Sequence, residues 1–193
     1  MDAILPEYNT RLCQVGALLI SYRARFYEAL GKEASAFHGQ FSGGAEEFTL
    51  EYKTVSTVTD PFAPTAQLTQ QLQDHLERHY RAELETAQCL TGPHKDDFSV
   101  ALSGIDLKAY GSQGQTRTAA ISLKLAQREL MGREWGEEPV LLLDDVLSEL
   151  DPGRQDFVLN QIVSGQVFIT CCEPGRFTKL GKTIEICKGN VID

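Results

Sequence analysis

From about residue 4 to residue 34 the apolar residues Leu12, Val15, Leu18, Leu19, Tyr22, Phe26 and Leu30 recur every three or four positions, the spacing that predicts one face of a long amphipathic helix. The segment from Ala34 to Gly44 shows no such period and carries Ser42-Gly43-Gly44, which reads as a connection. Alternation then takes over. Phe48-Thr49-Leu50-Glu51-Tyr52-Lys53-Thr54-Val55 predicts a half-exposed strand in a small ribbon. After the break Asp60-Pro61-Phe62-Ala63-Pro64, Leu68, Leu72, Leu76, Tyr80 and Leu84 stand four apart, a stripe able to pack antiparallel against the first helix. Phe98-Ser99-Val100-Ala101-Leu102 alternates again, with Ser103-Gly104 as a hairpin turn.

The second half of the chain changes character. A polar run, Tyr110-Gly111-Ser112-Gln113-Gly114-Gln115-Thr116-Arg117, leads into a predicted helix from Thr118 to Ala126. Pro139-Val140-Leu141-Leu142-Leu143 is a short apolar run ending in Asp144-Asp145, which predicts a strand buried on both faces that delivers two acids to a sheet edge. Pro152 fits the first turn of another helix, with Phe157, Val158 and Ile162 apolar. Gln166-Val167-Phe168-Ile169-Thr170 and Lys182-Thr183-Ile184-Glu185-Ile186-Cys187 predict further strands, and Lys188-Gly189-Asn190 a turn near the end.

Composition narrows the class without changing these elements. At 193 residues and 42% hydrophobic the chain has ample material for a core. No apolar run is long enough to span a bilayer and the N-terminus lacks a signal-peptide pattern, so the expectation is a cytoplasmic protein with no membrane partner. The formal net charge of −9 argues against a strong nucleic-acid footprint on this chain alone, because that affinity comes mainly from Lys and Arg at phosphates. Arg11, Arg23, Arg25 and Lys32 lie along the first helix, either as a DNA track or, with acids interspersed, as a solvated face, the second favoured. Cys13, Cys89, Cys171, Cys172 and Cys187 have no C-x-x-C spacing and are expected to be reduced, mostly buried thiols.

Several residue groups carry candidate chemistry. Asp144 and Asp145, at the carboxyl end of a strand, are placed to hold a metal or orient a water. The Gly/Ser turn at Gly111–Gly114 presents free N–H groups and the positive end of a helix dipole to an anion such as phosphate, although Ser112 equally suits an ordinary N-cap. Asp151 suits an N-cap as well. His94 with Asp96 and Asp97 is either a polar functional cluster or a charged loop, the second favoured. His75 and His79 stand four apart, a zinc spacing, but no third ligand or adjacent glutamate supports metal there.

Taken together these motifs are more specific than any one alone. Ser112-Gln113-Gly114-Gln115, a following helix, Leu141-Leu142-Leu143-Asp144-Asp145 and then Ser148-Glu149-Leu150-Asp151 resemble the signature motif, Walker B strand and D-loop of ABC-type ATPases, in that order. Within that superfamily Thr91-Gly92-Pro93-His94-Lys95-Asp96-Asp97, Gly111 to Gln115 with Arg117, Leu123-Lys124-Leu125-Ala126 and the run from Leu141 to Asp151 closely resemble the RecF family of bacterial recombination mediators. The resemblance implies an α/β fold, the C-terminal part of an ABC-type (SMC-like) ATPase head, with a helical lobe of long antiparallel helices and a small β-ribbon. It implies a lobe over 1–130, ending in the signature motif and its helix, and a core segment over 131–193.

The resemblance also implies roles. Two protomers would sandwich two ATP molecules in an ATP-dependent homodimer. Ser112, Gln113, Gly114 and Gln115 would meet the partner's ATP in trans. Asp144 would act on Mg²⁺, Asp145 would activate the attacking water, Ser148 and Asp151 would form the D-loop, and Thr170 would stand where many relatives carry a switch histidine. Asp145 occupies a position usually held by glutamate, so slow hydrolysis suited to a switch is expected. No G-x-x-x-x-G-K-[ST] occurs. The chain is therefore expected to be the C-terminal half of a longer protein, inactive alone as an ATPase. By resemblance that protein binds DNA at single- and double-strand junctions and works with RecO and RecR in repair at gaps and stalled forks. The rivals are a partner-binding helical module without ATPase activity, and a Mg²⁺-dependent phosphatase or phosphoacceptor built on Asp144 and Asp145.

Overall fold

A computed structural model describes residues 5–147, 150–162, 164–172 and 181–192. The chain divides into two compact units, residues 1–130 and 131–193. The first contains α1 (Leu5–Ser42), β1 (Phe48–Lys53), α2 (Thr65–Thr86), a single 3₁₀ turn (Pro93–Lys95), β2 (Asp97–Leu102), β3 (Ile105–Asp106), the short α3 (Leu107–Tyr110) and most of α4 (Gln113–Trp135). The second contains β4 (Leu141–Asp144), α5 (Pro152–Asn160), β5 (Val167–Thr170), β6 (Glu185–Cys187) and β7 (Asn190–Ile192).

In the first unit α1 and α2 pack in opposite directions. Leu5 and Asn9 lie by Leu76 and Tyr80, while Gly16 lies by Leu72. Cys13, Ala17, Ile20, Leu68, Leu72 and Leu76 share one apolar cluster, and a fully buried Ile or Leu there contributes about 1.5–3 kcal/mol. A Cβ on Gly16 would stand 3.1 Å from Pro93 Cδ and 3.2 Å from Leu72 Cδ1, so the small residue there suits the close approach of the helices and the 3₁₀ turn. A second cluster, Leu30, Ala34, Phe48, Leu102, Ala119 and Ala126, joins the later half of α1 to the ribbon and α4.

The ribbon is antiparallel in the order β1-β2-β3. Phe48 pairs with Leu102 and Lys53 with Asp97. Ser103 and Gly104 have φ of 48° and 81°, the two left-handed residues of a tight hairpin turn. Its position is the one the alternation predicts.

Several expectations for the helices are corrected. Helix α1 runs on to Ser42, because Ala34 and His38, both buried, continue the spacing set by Leu30; a histidine in the stripe hid the period. The buried face of α1 is the small-residue face, Cys13, Gly16, Ala17, Ile20 and Ala24, whereas Val15, Leu18, Leu19, Tyr22 and Phe26 are exposed. The stripe on α2 is buried at Leu68, Leu72 and Leu76 but exposed at Tyr80 and Leu84. No acid stands between Glu7 and Glu28 on α1, so Arg11, Arg23 and Arg25 are not interspersed with carboxylates.

In the second unit β4 and β5 pair in parallel, Leu141 with Val167 through to Asp144 with Thr170. The strand is not buried on both faces: Leu141 and Leu143 are buried, while Leu142 is 69% exposed beside its register partner Phe168 at 51%. Parallel sheets ordinarily have both faces covered, and this one has an apolar face open. β6 and β7 form a hairpin turning at Lys188 and Gly189. The thiols also depart from expectation, for although all five are unpaired only Cys13 is buried. No helix is long and apolar enough to cross a membrane among the described residues.

Candidate functional site

The polar turn before α4 is built by local chemistry. Ser112 Oγ accepts from the Gln115 N–H at 3.2 Å, and Gln115 Oε1 accepts from the Ser112 N–H at 3.0 Å, a reciprocal capping box that satisfies donors the helix start would leave bare. Thr116 and Thr118 hydroxyls donate back to the carbonyls of Ser112 and Gly114. Gly111 is required by space, since a Cβ there would lie 2.6 Å from the Leu107 carbonyl oxygen. Ser112 is exposed, and its hydroxyl proton is not consumed by the cap, because Oγ acts there as acceptor.

The turn is also tied to distant parts of the first unit. Gln115 Nε2 donates to Glu46 Oε1 at 2.8 Å, and Glu46 Oε2 meets the ring Nε2 of His38 at 2.9 Å. His38 is fully buried beside Phe48. Sequence reasoning missed Glu46 and His38, for neither belongs to a motif and both lie far along the chain from Gln115.

In the second unit the carboxyl ends of the parallel strands bring together Asp144, Asp145 and Thr170. The Thr170 hydroxyl donates to Asp144 Oδ1 at 2.6 Å and accepts from the Asp145 N–H at 2.9 Å. Asp145 has φ of 53°, a left-handed conformation that aspartate tolerates better than most residues and that turns the chain sharply out of β4. Both carboxylates are exposed. This donor set is all oxygen, the chemistry that suits a hard cation such as Mg²⁺, which takes one or two carboxylates and keeps its waters.

After β4, Leu147 and Leu150 are both buried, and the Leu150 N–H donates to the Leu147 carbonyl at 3.2 Å. Gln155 also joins them, its Nε2 donating to the Leu147 carbonyl at 2.7 Å and the Leu150 carbonyl at 3.0 Å, a role no sequence signal marked. Asp151 caps α5, accepting from the Arg154 N–H at 3.1 Å, with Arg154 Nε 3.3 Å from its other oxygen. Ser148, the other residue of the predicted D-loop, lies outside the described residues.

The Thr91–Asp97 turn is anchored by a buried carboxylate. Asp96, 3% exposed in its side chain, accepts from Arg23 of α1 at 2.8 Å and from the Tyr52 hydroxyl of β1; Arg23 also donates to the Pro93 carbonyl. The bond to Asp96 raises the Arg23 pKa further, and burial, with the Asp96 contact second, pushes the Tyr52 hydroxyl well above its usual range. Gly92 has φ of 125°, open to glycine alone in practice. His94 and Asp97 are exposed, His94 meeting the Cys89 carbonyl at 2.9 Å and Asp97 lying 3.8 Å from Lys108, so only Asp96 of the three is placed as a buried polar anchor.

His75 and His79 stack at 4.0 Å. Their Nδ1 atoms meet the Thr91 hydroxyl and the His75 carbonyl, each at 2.9 Å. Burial, and then the neighbouring His79, lower the His75 pKa. No group of three metal-ligating side chains occurs among the described residues.

No family model matches the chain. The DNA replication and repair protein RecF of Agathobacter rectalis is 36% identical over 191 residues, covering 97% of this chain and 50% of that protein. RecF of Bacillus subtilis is 42% identical over 168 residues, covering 86% of this chain and 45% of that protein. The chain thus spans about half the length of the curated relatives it matches. Two solved structures, described as the recombination mediator protein RecF with ATPrS and with ATP in the RecFOR pathway, superpose with TM-scores of 0.83 and 0.84 at 31% and 32% identity. They cover 99% and 98% of this chain, and the chain covers 50% of each.

Proposed function

Because this chain corresponds to the C-terminal portion of RecF proteins, we propose that it supplies the signature motif, Walker B carboxylates and D-loop to an ATP-sandwich dimer. In that dimer Ser112, Gln113, Gly114 and Gln115 meet a nucleotide held by the partner protomer. The exposed Ser112 hydroxyl donates to a phosphate oxygen, and the start of α4 adds its dipole. Asp144 would hold Mg²⁺, which would neutralise phosphate charge, and Asp145 is the carboxylate that would orient the attacking water as general base. Thr170 fixes both, binding the Asp144 carboxylate and the Asp145 N–H with one hydroxyl, so switching and chemistry share a side chain. Asp151 positions the D-loop by capping α5.

The observation that supports this reading best is the Asp144–Thr170–Asp145 cluster at the carboxyl ends of two parallel strands, the edge where α/β sheets place ligands. The residues fit Mg²⁺ and the γ-phosphate side of ATP. They do not include a cradle for the β- and γ-phosphates, since no phosphate-loop sequence occurs. Such a loop would come from the remainder of a longer polypeptide. That whole protein binds DNA in an ATP-dependent manner, acts in recombinational repair at single-strand gaps and stalled forks, and works with RecO and RecR.

Ser112→Arg tests the reading. In the complete protein it abolishes ATP-driven dimerisation, read by light scattering, by placing a long cation where the hydroxyl must approach phosphate. Dimerisation at wild-type ATP concentrations would remove the signature role. A second reading, a helical module that docks a protein partner without ATPase activity, draws on the exposed α1 residues Tyr8, Val15, Leu19, Tyr22 and Phe26, since apolar patches of this kind mark interaction sites.

A further inference from the structure

We infer that Glu46 is a positioning residue that sets the orientation of the Ser112 turn and couples it to the end of α1. This rests on the signature reading above. Gln115 is the pivot. Its side-chain amide sits between two partners of opposite hydrogen-bonding character: the Ser112 N–H, which can only donate, and the Glu46 carboxylate, which can only accept. The amide therefore has one satisfactory orientation, Oε1 toward Ser112 and Nε2 toward Glu46. With that orientation fixed, the Gln115 N–H engages Ser112 Oγ and the hydroxyl proton is left to face outward.

Glu46 is held in turn by His38 at 2.9 Å. His38 is fully buried near the end of α1, beside Phe48 of β1. Both Glu46 oxygens are thus engaged, one by each side of the relay. Beneath it lies the apolar cluster of Leu30, Ala34, Phe48, Leu102, Ala119 and Ala126, which ties the same stretch of α1 to α4 through packing. A shift of α1 along its axis displaces His38, and Glu46 transmits the displacement to the one side chain that aims Ser112. Whatever engages the long helix thereby regulates the affinity of the signature turn for phosphate.

The test uses Glu46→Ala, Gln115→Glu and the pair Glu46→Gln with Gln115→Glu, with two readouts. The first is amide hydrogen exchange at Ser112 and Gln115, measured on this chain without nucleotide. The second is the ATP concentration for half-maximal dimerisation of the complete protein. Glu46→Ala and Gln115→Glu are expected to speed exchange at positions 112 and 115, with protection at Leu125 and Leu130 unchanged. Both should raise the ATP midpoint about tenfold, the worth of one charge-assisted hydrogen bond. The pair restores both readouts, because the amide introduced at position 46 donates to the carboxylate introduced at position 115, and that carboxylate still accepts from the Ser112 N–H. A purely structural loss would give no such rescue. Wild-type exchange in Glu46→Ala, or a pair no better than Gln115→Glu, overturns the inference; if Glu46→Ala does not fold, the comparison of Gln115→Glu with the pair decides it. If Ser112→Arg leaves dimerisation intact while the exchange effects appear, the signature reading fails and the coupling stands.

Discussion

Individual residues in both proposed motifs have specific reasons for their identity. Gly111 has no room for a Cβ against the Leu107 carbonyl, and Thr170 serves two aspartates with one hydroxyl. His75 makes a prediction about pH. Its ring is buried, which penalises the charged form, so its folded pKa lies below the ordinary 6.5. As pH falls through that value the unfolded chain takes up the proton first, and stability is lost. The stability it supports is fully present above the ordinary value and declines below it. Urea unfolding at about pH 7.5 and about pH 5.5 checks this: His75→Asn should lose less stability over that interval than the wild type. At this scale the sequence displayed Ser112, Asp144 and Asp145 openly, since motif residues are read locally. It showed Asp96 among the charges of a loop but not its buried anchoring role, since its partners Arg23 and Tyr52 come from 73 and 44 residues away.

The elements follow their patterns where one face dominates and depart where two compete. The ribbon alternates as its sequence does, with Phe48 and Leu102 buried as a cross-strand pair. Helix α1 carries two candidate stripes, and the bulkier one is exposed. After β4, Leu147 and Leu150 are joined by a backbone bond and by the side chain of Gln155. Gln155 satisfies two carbonyls in a buried position, and leaving buried acceptors unpaired costs about 1–3 kcal/mol each. Gln155→Ala leaves the Leu150 carbonyl without that donor, while the Leu147 carbonyl keeps the Leu150 N–H, so it should destabilise the second unit by about 1–3 kcal/mol, seen as a lower unfolding midpoint. It should also speed hydrogen exchange at the Leu150 amide, which donates to the Leu147 carbonyl. A midpoint equal to the wild type would show that Leu147 and Leu150 are held otherwise.

At the scale of the whole molecule the proposed function gives the chain part of a catalytic arrangement. On the proposed reading its acids would hold a cation and its Ser112 turn would meet phosphate, and no phosphate-loop sequence occurs in its 193 residues. Two outcomes follow: this chain alone should show no ATP turnover above buffer, and the complete protein should turn over slowly and lose that activity in Asp145→Asn. Robust Asp145-dependent turnover by this chain would contradict the division of labour. The sequence by itself determined most element types, the end of α1 from Ala34 to Ser42 excepted, the order of the motifs and the acids at the end of β4, because helical and strand periods and short motifs are local properties. Tertiary structure alone decided which face of α1 is buried: α2 and the Pro93 turn pack against Cys13, Gly16, Ala17 and Ile20, with a tight approach at Gly16, whatever hydropathy favours. It alone also joined His38, Glu46 and Gln115, since a hydrogen bond between residues 69 apart leaves no trace in the spacing of either.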